Sequence, residues 1–252
     1  MITTFIFYVI FAALSVILPI IATGKLRKKF GGDLKNFKYG IAVYVLFGVL
    51  LSSIVLKAMG NSSVLIDAAL NTLCISIGFF LWLKFVTKKS ESLGDCFLFG
   101  AGFSSALIIF RYLVSAVESA VISFTAVIGK DLTTHKIYGG VAQRVQESDP
   151  YTVFLNMLEM VFFAVLSISV AVIFYRVILC GAKKRWIGAG ILINALGYAL
   201  VNGETLKLFE KLIHLSMDTK KLFVFLLGIV AIIGAGAAYS LVFPHEKKER
   251  TE

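Results

Sequence analysis

The chain has 252 residues and a net charge of +10, and 58% of it is hydrophobic, including 22 phenylalanines. A mean hydropathy of +0.88 excludes an ordinary soluble domain and points to a polytopic membrane protein. Continuous apolar runs, rather than alternating ones, argue against a membrane barrel and predict an all-α helix bundle with about seven transmembrane helices in one domain.

The first predicted span, Thr3–Thr23, has no basic leader and no small-x-small cleavage site, so it reads as a retained helix and not a signal peptide. Lys38–Leu56, Val64–Val86 and Phe97–Val117 follow, each near the ~20 residues that cross ~30 Å of hydrocarbon. Glu118–Ile128 is expected to carry the fourth helix beyond the bilayer, and 129–150 is an outer polar loop. Thr152–Cys180 is long, Trp186–Val201 is short, and Leu222–Phe243 is the last span. Within 203–221, Leu206, Phe209, Leu212 and Ile213 recur near helical spacing. That pattern predicts an amphipathic helix in the outer interface, with lipid contact as its plain role and a lid or docking site as the sharper one.

Charge sets the orientation. Lys25, Arg27, Lys28, Lys29, Lys35 and Lys38 cluster between the first two spans, and Lys183, Lys184 and Arg185 lie between the fifth and sixth. Seven crossings put these on one side, together with Lys84, Lys88, Lys89 and the basic tail. The positive-inside rule then places the N-terminus outside and the C-terminus in the cytoplasm of a cell-membrane protein. The basic excess reads as orientation and contact with anionic lipid, not as a nucleic-acid footprint. The expected partners are the lipid bilayer and another membrane protein.

Two ionisable residues fall inside the spans, Arg111 and Glu159. Both are costly in hydrocarbon, and opposite crossing directions bring them to similar depth, so an Arg111–Glu159 pair is expected. Its plain role is structural, with separate snorkelling to the interface as the alternative. Gly100, Gly102, Ser104 and Ser105 open the fourth span and suit either close helix packing or a cavity. Hydrolysis would need an activated water, a base and an oxyanion stabiliser. The histidines (His135, His214, His245) all lie outside the spans, and the cysteines (Cys74, Cys96, Cys180) lack zinc-site spacing. No metal or cofactor is expected.

Leu18–Pro19–Ile20, the basic turn from Lys25 to Phe30, the Phe37–Gly40 stretch and Phe99–Gly100–Ala101–Gly102 resemble the bacterial YhfC family. The resemblance runs over most of the chain in span order and loop length, on short motifs. It implies a glutamic-type intramembrane protease scaffold, distantly related to the CAAX-protease and bacteriocin-processing superfamily. That family's third span carries Glu-Glu-x-x-Arg, where this chain reads Cys74–Ile75–Ser76–Ile77–Gly78–Phe79. Its fourth span carries Phe-x-x-x-His and then a glutamate, where this chain has Phe99, Phe103 and Leu107. Of the fifth-span Glu-Arg, Glu159 remains and is followed by Met160; Asn194 stands where the sixth span has histidine. The resemblance therefore implies a degenerate member, with Arg111, Glu159 and Asn194 as a candidate polar patch. Three functions stay open: a non-catalytic scaffold for a membrane partner or segment, an active intramembrane protease with altered residues, and a membrane subunit of a transporter.

Overall fold

The computed structural model describes residues 2–60, 64–87, 92–128, 139–202 and 219–243. Among these residues the structure is helical throughout, with no strand. We number the helices α1 (Ile2–Phe30), α2 (Leu34–Met59), α3 (Val64–Phe85), α4 (Leu93–Val127), α5 (Gly139–Glu147), α6 (Pro150–Ile178), α7 (Arg185–Leu200) and α8 (Thr219–Val242). Six of them are long and apolar enough to cross a membrane. The exception among the predicted spans is α7, whose 16 residues cover about 24 Å at 1.5 Å per residue.

The polytopic all-α architecture is thus as expected, with helix ends that move outward. α4 continues through Glu118 to Val127, and α1 runs on through the basic cluster to Phe30. The short α5 lies within the predicted 129–150 loop. The predicted amphipathic segment 203–221 lies outside the described residues apart from 219–221, which form the first turn of α8.

α4 and α6 form the centre: 78% and 72% of their apolar windows are buried, against 17% for α1. Apolar side chains facing lipid lose nothing, so burial follows close packing and not hydrophobicity. α2 and α4 approach backbone to backbone. A Cβ on Gly40 would overlap the Phe99 carbonyl oxygen, and one on Gly102 would overlap that of Phe37. The α1–α2 turn uses Gly31 and Gly32 at φ 74° and 99°, the left-handed region that glycine alone enters without cost. Gly32 seats on Gly94 at the start of α4, and Asp95 accepts the Asp33 N–H at 2.7 Å.

Behind that seam lies an aromatic core. Phe79 of α3 packs on Phe103 of α4 at 4.8 Å and on Phe174 of α6 at 5.1 Å between ring centroids. Tyr44 of α2 meets Phe103 edge-on at 5.2 Å, and Tyr175 meets Phe99 at 5.8 Å. Edge-on and tilted contacts of this kind suit the ring quadrupole and add to simple burial. One cluster so locks four helices.

Candidate functional site

Arg111, Tyr112, Glu159 and Lys220 make the side-chain links among α4, α6, α7 and α8. α4 changes to π-helical winding over Ile109–Leu113. Bonding i→i+5 places more residues in each turn, so neighbours diverge less around the axis. Arg111 and Tyr112, adjacent in sequence, both turn toward the bundle interior. Tyr112 is buried, and its hydroxyl donates to Glu159 Oε1 at 3.1 Å.

Glu159 lies on the inward face of α6, nine residues in from Pro150, or about 13 Å along the axis. It is buried. Its second oxygen accepts a charged hydrogen bond from Lys220 Nζ in the first turn of α8. Lys220 enters from the end of its helix, where a long apolar stem can cover hydrophobic surface while the ammonium reaches a partner. Both carboxylate oxygens are therefore engaged, by a phenol and by an ammonium.

Arg111 makes a different connection. Its Nη2 donates to the Val201 carbonyl oxygen at 2.7 Å, just past the last turn of α7. The closing carbonyls of a helix lack intrahelical partners and carry the negative end of its dipole, so a guanidinium is a well-matched cap. The same group lies 5.6 Å from the Phe163 ring centroid and 5.9 Å from that of Tyr112, within cation–π range. No Arg111–Glu159 contact falls within ion-pair distance. The glutamate pairs with Lys220 instead, and the arginine is spent on a helix end.

Asn194 is buried on the α7 face that meets α6, between Gly190 against Phe174 and Gly197 against Leu166. It lies seven residues from Val201, or about 10 Å along the helix. It has no hydrogen bond to Arg111 or Glu159, and its Nδ2 is without a partner among the described residues. The small residues of α4 divide by face. Gly100 abuts Ile168, and Ser104 Oγ donates to the Ala164 carbonyl at 3.3 Å, both on α6. Gly102 abuts α2, as above. Ser105 Oγ returns to the Ala101 carbonyl at 2.6 Å and lines an apolar groove between α1, α2 and α4.

Among the described residues no three His, Cys, Asp or Glu side chains converge as metal ligands. The three histidines lie outside those residues. Tyr112 and Lys220 were not singled out in the sequence. For Tyr112 a signal existed in its adjacency to Arg111, since a phenol beside an intramembrane charge is a ready partner. For Lys220 there was none, because it sits with Lys221 at the edge of a span, where lysines ordinarily face water.

Comparison of the chain with family models, with curated proteins and with solved structures returns no match.

Proposed function

We propose that this multi-pass bacterial membrane protein is a non-catalytic scaffold, with its N-terminus outside and C-terminus in the cytoplasm, that holds a partner's membrane segment. The observation that carries the proposal is the engagement of Glu159 by side chains from two other helices. A general base must be aimed at the water it activates, whereas each oxygen of this carboxylate is directed at a protein partner, Oε1 at the Tyr112 hydroxyl and Oε2 at the Lys220 ammonium. Arg111, committed to the end of α7, has the geometry of a structural tie.

The likeness to the YhfC family supports the same reading. On that alignment Phe103 stands for the family's histidine, and the stretch ending in Phe79 stands for its acidic motif. Here those two rings pack on each other at 4.8 Å in the aromatic core. Phe37, Gly40, Phe99 and Gly102, which carry the resemblance, form the α2–α4 seam. On this reading the shared feature is a means of packing, and an aromatic ring stands where the family has its histidine.

The test is a cleavage assay in vesicles with a model transmembrane substrate. Neither the wild type nor Glu159→Gln is expected to cleave. Cleavage by the wild type that Glu159→Gln abolishes would overturn the scaffold reading in favour of an altered protease.

A further inference from the structure

The groove between α1, α2 and α4 has a volume of about 580 Å³, inside the ~300–1,000 Å³ common for ligand pockets. It exists because α1 leaves the bundle midway. The buried residues of α1 are Thr4, Tyr8, Phe11 and Ser15; beyond Ser15 none is buried. At Ser15 the helix is still anchored, with Oγ donating to the Phe11 carbonyl at 2.9 Å and lying 3.2 Å from Met160 Sδ. Pro19 then removes a backbone donor within the helix. Contact resumes at the far end, where Phe30 stacks on Phe97 at 4.8 Å and Gly31 meets Gly94.

The walls left open are apolar: Pro19 and Ile20 on α1, Ile41 on α2, Ile109 and Leu113 on α4. From Ser15 to Thr23 the groove follows α1 for eight residues, or about 12 Å. A methylene chain suits such a slot better than a polar ligand, since nothing along its length asks for a hydrogen bond.

One end differs. Thr23 lines the groove there, and its Oγ1 is shielded and without a hydrogen-bond partner. Arg27 follows one turn later on the same face of α1. Lys38 adjoins the lining residue Phe37 on α2, and both Arg27 and Lys38 are exposed. Lys25, Lys28, Lys29 and Lys35 lie in the same α1–α2 stretch and add to its positive charge. The opposing acids are already used locally: Asp33 accepts the Lys35 N–H at 2.9 Å and Asp95 accepts the Asp33 N–H. An apolar slot ending in a basic cluster complements one ligand class.

We propose that this groove is a binding site for an anionic glycerophospholipid of the bilayer. One acyl chain lies along Pro19, Ile20 and Ile109, and the phosphate sits at the Thr23 end of the groove, beside Arg27 and Lys38. Charge complementarity selects the anionic headgroup over a zwitterionic one, and the gap behind Pro19 holds the chain in place.

The full-length protein, purified from vesicles holding equal phosphatidylglycerol and phosphatidylcholine, would be delipidated in mild detergent and its retained lipid identified by native mass spectrometry. Phosphatidylglycerol should be retained over phosphatidylcholine by more than about fivefold, the factor expected for a single basic contact near a membrane surface. Arg27→Gln with Lys38→Gln should remove most of that preference. Ile20→Trp and Ile109→Trp, on opposite walls at lipid-facing positions, should each abolish retention with unfolding temperature unchanged. Retention of both lipids alike, retention that survives both tryptophans, or a groove that instead seats a second copy of the chain would each overturn the proposal.

Discussion

Lys220, in the first turn of α8, is ion-paired with Glu159 of α6, whose other oxygen takes the Tyr112 hydroxyl. The pair joins the last helix to the two central ones at a point where Glu159 is buried and Lys220 is partly so. Removing one partner strands the other. Lys220→Met should lower unfolding stability in micelles by about 2 kcal/mol, less than the ~3–5 kcal/mol of a fully buried pair because the lysine is 25% exposed. Stability equal to wild type would mean that the contact contributes nothing.

Arg111 should matter to α7 more than to the bundle at large. Arg111→Met removes a charged hydrogen bond, worth about 1.5–3 kcal/mol, and uncaps the Val201 carbonyl. Hydrogen exchange should rise in the last turn of α7 first. Arg111→Lys should restore only part of the protection, since an ammonium lacks the planar fork and the ring stacking. Unchanged exchange at 198–201 would show that the cap is unimportant.

The α2–α4 seam admits no side chain. Gly102→Ala places a methyl on the Phe37 carbonyl, and overpacking of this kind costs about 1–3 kcal/mol or more. Gly24→Ala, on α1 with nothing near the added carbon, should be neutral or stabilise by up to about 1 kcal/mol through helix propensity. Thermal unfolding of the two variants in parallel reads the contrast, and equal effects would contradict close packing at the seam.

Asp149 caps α6 from outside the span. The Thr152 hydroxyl and N–H, the latter at 2.7 Å, hold its carboxyl below the ordinary aspartate value. A depressed carboxylate stabilises the folded state above that ordinary value, 3.8, and the contribution fades as the pH falls through the lower folded value. The group is fully exposed, so the effect is local. Exchange protection of the Thr152 amide should drop on acidification in the wild type. Asp149→Asn, which caps without titrating, should give a flat profile over the same range.

How much of this could be read beforehand differs by level. Span positions were legible because long apolar runs leave little freedom in a bilayer, and even the shortness of α7 shows in Trp186–Val201. Helix ends were less so: α1 extends through its lysines because charged side chains at a membrane edge do not break a helix. The site was half legible. Arg111 and Glu159 stand out as charges, but Arg111's target is a backbone carbonyl, which no side-chain pattern signals. The partner of Glu159 depends on α8 turning Lys220 inward toward α6. The π-helical segment that brings Tyr112 into play leaves no mark in apolar periodicity. The groove at Pro19 comes from a helix leaving the bundle, and only the packed structure shows where it leaves.

The central claim is that Glu159 is structural, and a double-mutant cycle with Lys220 tests it most directly. Glu159→Leu, Lys220→Met and the double variant would be unfolded in the same micelles. The account predicts that the double variant is more stable than the sum of the single losses implies, by more than about 1 kcal/mol, because no ion is left stranded. Additive losses, with the double variant no better than the sum, would contradict it.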